Sequence, residues 1–300
     1  MPERDGYIPG VPCWVDASEP DVEAAVEFYG GLFGWEFEDA TPASSEAKHF
    51  IARRETRGWS LFDTSGDVRR GDVAAVRSSA EAARPTAMWN TYVWVDNADE
   101  TAAKVRDAGG GVVTEPFDFM NASRMAVFTD PEGATFCVWE AKEHKAARVV
   151  NDPGSVNFNG LNTRDVGGAR SFYGSVFGWE TFAFDDETEM WALPGYADFL
   201  ERYHPGLRKR WAEAGAPEGF EDVVATINPI ADDQSAMPAH WSVTFAVEDA
   251  DAAAAKAREL GGKVIVPPFD APWVRMTVIG DPQGATFVAS TFVPENKDLG

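Results

Sequence analysis

The sequence predicts an α+β protein of two tandem halves, each built from two strand–helix–three-strand modules. Three observations carry that prediction. Long phrases recur in the same order in both halves. Each half reads twice as an alternating strand, an amphipathic helix and further short strands. A polar segment, residues 141–155, ends in the turn signal Asp152-Pro153-Gly154 and separates the halves near Asn151.

The recurrence is literal. FYGGLFGWE at 28–36 returns as FYGSVFGWE at 172–180, and DPEGATF at 130–136 returns as DPQGATF at 281–287. Gly109-Gly110 returns as Gly261-Gly262, and Pro116-Phe117-Asp118 as Pro268-Phe269-Asp270. The offset grows from 144 to about 152, which places a net insertion in the second half, at about 194–237. Domains are therefore expected at 1–150 and 151–300, with ADFLERYHPGLRKRWAEAG in the insertion helical and serving as a packing cover.

The first module opens on the strand PCWVDA. Ser18 is expected to cap the next helix, with Pro20 in its first turn and Asp21 as box partner. Val22, Ala25, Val26 and Tyr29 share one helical face, and Gly34 ends the helix. Short strands follow at Glu36–Glu38, His49–Arg53 and Trp59–Phe62. The second module reads TYVWVD, helix ADETAAKVRDAGG, and strands near 112–114, 124–128 and 135–139. The second half repeats the plan with VNFNGLNT, DVGGARSFYGSVFGW, WSVTFAVED and ADAAAAKARELGG.

Composition narrows function. The formal charge of -23 repels nucleic-acid backbones and anionic membranes, so neither is an expected partner. No apolar run reaches membrane-spanning length, and MPERDGYIPG lacks the order of a signal peptide. Two cysteines make no disulfide framework, and a cytoplasmic location is expected. The glycine pairs end helices and form no phosphate cradle. No cofactor is expected.

FYGGLFGWEFE after PCWVDA, with DPEGATFCVWE closing the half, resembles the vicinal oxygen chelate superfamily of glyoxalases, bleomycin-resistance proteins and extradiol dioxygenases. The resemblance covers nearly the whole chain, twice, and is nearest to tandem two-domain actinobacterial glyoxalase-like members. It implies two domains whose mixed sheets are cupped around a ligand, with helices outside. It also implies three metal-ligand positions per cup, usually His, His and Glu. These fall on Trp14, Asn90 and Cys137 in the first half, and on Phe158, Ser242 and Val288 in the second. Indole, phenyl and isopropyl groups offer no donor at the roughly 2.0–2.5 Å a divalent metal needs. Pairing positions across the halves makes no triad either, so no metal is expected.

Strand alternation gathers candidate substrate-binding residues. The first cup reads Trp14, Asp16, Asn90, Tyr92, Trp94, Cys137 and Trp139, aromatic with a few polar handles, suited to a flat ligand. The second reads Phe158, Asn162, Ser242 and Thr244, with His240 as the candidate acid–base catalytic group. His49, His144 and His204 are expected at the surface. Arg124 and Arg275 are expected to pair with the turn aspartates that follow them. The resulting expectation is a metal-independent, lyase- or isomerase-like enzyme of secondary metabolism. It would act on an aromatic or polyketide-like molecule by rearrangement, cyclisation, ring opening or hydration. A non-catalytic binding or resistance protein is the alternative, and a metal-dependent glyoxalase or dioxygenase the less favoured one. The chain is expected as monomer or homodimer.

Overall fold

A computed structural model describes residues 6–43, 45–57, 68–79, 87–184 and 188–299. The first module comprises β1 (Pro12–Glu19), α1 (Val22–Phe33), β2 (Glu36–Asp39), β3 (His49–Arg57) and β4 (Val68–Ser78). The second comprises β5 (Met88–Trp94), α2 (Ala98–Asp107), β6 (Gly111–Phe119), β7 (Ser123–Thr129) and β8 (Thr135–Ala141). The third runs β9 (Val156–Thr163), α3 (Val166–Phe177), β10 (Glu180–Ala183), β11 (Glu189–Ala192), α4 (Tyr196–Tyr203), α5 (Leu207–Ala214) and β12 (Val223–Pro229). The fourth is β13 (His240–Ala246), α6 (Ala250–Glu259), β14 (Lys263–Ala271), β15 (Val274–Gly280) and β16 (Thr286–Phe292). The strands form two eight-stranded mixed sheets, ordered β2-β3-β4-β1-β5-β8-β7-β6 and β10-β11-β12-β9-β13-β16-β15-β14. None of the described helices is long and apolar enough to cross a membrane.

The sheets follow the sequence halves, but the compact units do not. Unit I gathers Met1–Trp14, Thr91–Arg148 and Phe158–Trp241, and unit II gathers Val15–Asn90, Val149–Asn157 and Ser242–Gly300. Each unit joins one module of each half, and each is built round one tyrosine. In unit II the Tyr29 hydroxyl donates to Asp281 Oδ2 (2.9 Å) and accepts from Trp89 Nε1 (3.0 Å). In unit I the Tyr173 hydroxyl donates to Asp130 Oδ2 (3.0 Å) and accepts from Trp241 Nε1 (2.9 Å). The two recurring phrases thus meet crosswise, the tyrosine of one half on the turn aspartate of the other. Burial, then the neighbouring carboxylates, pushes both phenols up. Both tyrosines lie among aromatic rings, Trp35, Phe33 and Phe287 in unit II and Trp179, Phe177 and Phe136 in unit I.

Several local expectations need correction. Asp21, not Ser18, caps α1, its carboxylate accepting from the Ala24 N–H (3.1 Å). Residues 16–19 instead extend β1, because they pair in parallel with 75–78 of β4. Gly34 does end α1, at φ 68, where a Cβ would be unfavourable. The strand expected at Trp59–Phe62 lies outside the described residues. The insertion is shorter than expected. Residues 223–229 form β12, parallel to β9 in register Gly160↔Thr226 and Asn162↔Asn228. The expected helix breaks at Pro205-Gly206 into α4 and α5. Their apolar sides, with Phe199, Leu200, Leu207 and Trp211, are buried in unit I. Arg124 pairs with Asp99 and Asp118, and Arg275 with Asp251 and Asp270, not with the turn aspartates. Those aspartates are occupied by their own turns: Asp281 Oδ1 accepts the N–H groups of Gln283, Gly284 and Ala285.

Candidate functional site

The residues expected to line the first cup are closed over. In unit I, Trp14 is 4% exposed and Cys137 1%, and Tyr92 and Trp139 are likewise buried. The segment between the halves, expected as an exposed linker, covers them. His144 sets its ring edge-on to Trp14 (centroids 5.0 Å) and Trp139 (5.4 Å), and its carbonyl accepts from Trp139 Nε1 (3.3 Å). Ala147 N–H donates to Cys13 O (3.0 Å), and Tyr7 donates to Ala147 O (2.6 Å) while packing on the half-buried Trp94. None of His49, His144 and His204 is on the open surface as expected; all three are half-buried. In unit II, Asp16 is tied to Arg77 Nε (2.9 Å) and to Asn90 Nδ2 (2.7 Å), which also donates to Ser18 Oγ (2.9 Å). Trp14, Asp16, Asn90, Tyr92, Cys137 and Trp139 are thus engaged by the chain itself.

A divalent metal does not fit these positions. Trp14 presents only ring carbons and an N–H donor, which leaves one neutral carboxamide, Asn90, and one buried thiol, Cys137, short of a ligand triad. In the second half the corresponding positions are Phe158, Ser242 and Val288, of which only the serine carries a donor atom. Among the described residues no group of three or more His, Cys, Asp or Glu could hold a metal ion.

The sheet face that carries Phe158 is different. In unit I, Phe158 and Asn162 on β9 are half-buried, and so are Thr226 and Asn228 on β12, opposite Gly160 and Asn162. Asn228 Nδ2 donates to Thr226 Oγ1 (3.3 Å), and Asn162 Nδ2 donates to His240 O (3.3 Å). His240, also half-buried, has Nδ1 at 2.9 Å from Pro238 O. A carbonyl only accepts, so Nδ1 carries a hydrogen, and in the neutral ring the lone pair is then on Nε2. The strip therefore offers one basic nitrogen, two carboxamides, a hydroxyl and a phenyl ring. Further along β13, Ser242 and Thr244 belong to unit II and are half-buried there.

Some contributors were not found by sequence reasoning. Thr226 and Asn228 lay inside the supposed insertion, although VVATIN has a strand's alternation. Glu19 was not singled out, falling between the expected cap Ser18 and Pro20. It is 0% exposed in unit II, and burial first, then contact with the Asp281 carboxyl, pushes its pKa up to about 9.

A model of the Glyoxalase/Bleomycin resistance protein/Dioxygenase superfamily matches residues 14–138 and again 155–288. The chain is 34% identical over 291 residues to "Putative glyoxylase CFP32" of Mycobacterium tuberculosis, covering 96% of this chain and 97% of that protein. It is 34% identical over 292 residues to "Anthracycline biosynthesis protein DnrV" of Streptomyces peucetius, covering 94% and 93% respectively. Among solved structures, the Mn(II)-bound glyoxalase of Novosphingobium aromaticivorans superposes with TM-score 0.56 at 14% identity, over 95% of this chain and 83% of that one, a likeness of fold. Matched twice by the family model and nearly end to end by these relatives, the chain belongs to the Glyoxalase/Bleomycin resistance protein/Dioxygenase superfamily.

Proposed function

We propose that this chain binds a flat, hydrophobic, aromatic or polyketide-like molecule on the strip of Phe158, Asn162, Thr226, Asn228 and His240. We further propose that it converts the molecule without a metal. The observation that carries the reading is the His240 ring. Its Nδ1–H is held by Pro238 O, which leaves Nε2 as a proton acceptor on a half-buried face. The phenyl ring of Phe158 suits stacking, and the amides of Asn162 and Asn228 suit the carbonyls and hydroxyls of such a ligand. The name of the Streptomyces peucetius relative supports an aromatic polyketide as substrate class. With one acid–base group and a positioning surface, the reactions within reach are rearrangement, cyclisation, ring opening and hydration. Ser242 and Thr244 are proposed as binding residues of unit II, to which they belong.

The test uses a tetracyclic aromatic polyketide, with binding read by calorimetry and turnover by chromatography. Phe158→Ala is expected to weaken binding roughly tenfold, about 1.4 kcal/mol. His240→Ala is expected to abolish turnover while affinity stays within about twofold. Full turnover in His240→Ala would remove the histidine from the chemistry. Binding that depends on Phe158, with no turnover in the unaltered protein, would favour the sequestering reading instead.

A further inference from the structure

The hydrogen bond that orients His240 comes from a segment that is itself held by one side chain. Arg164 follows the last residue of β9. Its Nη2 donates to Gln234 O (2.6 Å) and Met237 O (2.8 Å), and its Nη1 to Ala231 O (3.5 Å). Three carbonyls of residues 231–237 are thus gathered on one guanidinium, a planar fork of fixed geometry. Pro238, whose carbonyl meets His240 Nδ1, is the next residue. The arginine is anchored in turn: Glu132 Oε2 accepts the N–H of Arg164 (3.1 Å) and of Asp165 (3.1 Å), and the Thr163 hydroxyl. Every member of this chain lies in unit I.

The duplication supplies an internal control. By the repeat offset, Arg164 corresponds to Pro20 and His240 to Met88. The half that lacks the arginine also lacks the histidine, so the two occur together or not at all. A guanidinium bridging loop carbonyls has no counterpart at Pro20, where no side-chain donor exists.

We propose that Arg164 is a positioning residue: by holding residues 231–238 it places the Pro238 carbonyl that keeps His240 in its Nδ1–H form. This rests on the reading of His240 as the acid–base group, but its own test does not need turnover. The full chain, labelled with ¹⁵N-histidine, is observed by two-bond ¹H–¹⁵N correlation, with the His240 signals assigned from the His240→Ala spectrum. The unaltered protein is expected to show Nε2 as the unprotonated nitrogen. Arg164→Ala should cut the Nδ1–H population at least threefold, and Arg164→Lys should fall between the two. Arg170→Ala, which removes an exposed arginine paired with Glu189, should change nothing. Unchanged tautomers in a folded Arg164→Ala protein would overturn the proposal, as would an Nε2–H signal in the unaltered chain. Where turnover is measurable, kcat should fall roughly tenfold in Arg164→Ala with KM within twofold. Loss of the tautomer effect defeats this inference alone, whereas full turnover in His240→Ala defeats the proposed function and leaves the tautomer result standing.

Discussion

Units I and II carry the same buried clamp, a tyrosine between a tryptophan N–H and a turn aspartate, yet place their second carboxyl differently. In unit II that group is Glu19, sealed in the core against Asp281, and the residue two after the turn aspartate is Gln283, which bonds both polar atoms of the Asp21 backbone. In unit I the position of Glu19 is taken by Thr163, and that of Gln283 by Glu132, which caps the junction of β9 and α3. The carboxyl has moved from core to rim. Charge inside is costly unless neutralised, so the unit II version holds a protonated acid, whereas in unit I Glu132 accepts the N–H groups of Arg164 and Asp165. The difference shows which parts of the duplicated module are bound by packing, namely tyrosine, tryptophan and turn aspartate, and which were free to diverge. The expected ligand residues diverge too: His144 packs on Trp14 and Tyr7 on Trp94, while Phe158, Asn162 and His240 stay half-buried.

The comparison can be broken most sharply at Trp14. Trp14→Ala should destabilise by about 3–5 kcal/mol, the cost of emptying a packed aromatic site, read as a lower midpoint in urea. Ligand affinity of the remaining folded protein should not change; a loss of affinity would mean that the first cup, too, receives ligand. The next effect is pH dependence in unit II. Glu19 is held near 9 when folded and returns to about 4.5 when unfolded, so between those values the folded state binds the extra proton. Its stability contribution is complete below about 4.5 and is lost as pH rises towards 9. Glu19→Gln should therefore be about 4 kcal/mol more stable relative to the unaltered chain at pH 8 than at pH 5. Parallel pH curves for the two proteins would show that Glu19 is ionised in the fold.

Smaller effects sharpen the symmetry. Tyr29→Phe and Tyr173→Phe each leave an indole N–H and a turn aspartate without the hydroxyl, at about 1–2 kcal/mol apiece. Near-equal losses in thermal unfolding would establish the clamps as equivalent, and a twofold disparity would separate them. Smallest is Phe158→Ala, expected to cost under about 1 kcal/mol of stability because the ring is only half-buried, in contrast to its effect on ligand. A loss as large as that of Trp14→Ala would make Phe158 part of a closed core.

Much of the fold was legible because the repeated phrases are those that packing requires. The αL position at Gly34, the aromatic run of α1 and α3, and the strand alternation each follow from local geometry. The candidate site was legible in part. Phe158, Asn162 and His240 could be placed on one face from periodicity alone, but Thr226 and Asn228 could not, because a helical insertion before β12 hid the strand's place in the module. Ser18 resembles a cap as much as Asp21 does, and only the parallel pairing of residues 16–19 with β4 decides between them.

What the sequence determined by itself was the duplication, the four modules, the family and the mismatch of residue types to a metal, since each depends on side-chain chemistry or on spacing along the chain. The tertiary structure alone decided which tyrosine meets which aspartate, that His144 closes the first cup, and that Arg164 reaches the carbonyls that orient His240. These pairings join residues 43 to 252 positions apart in the chain. They depend on how modules assemble, and no local pattern encodes that.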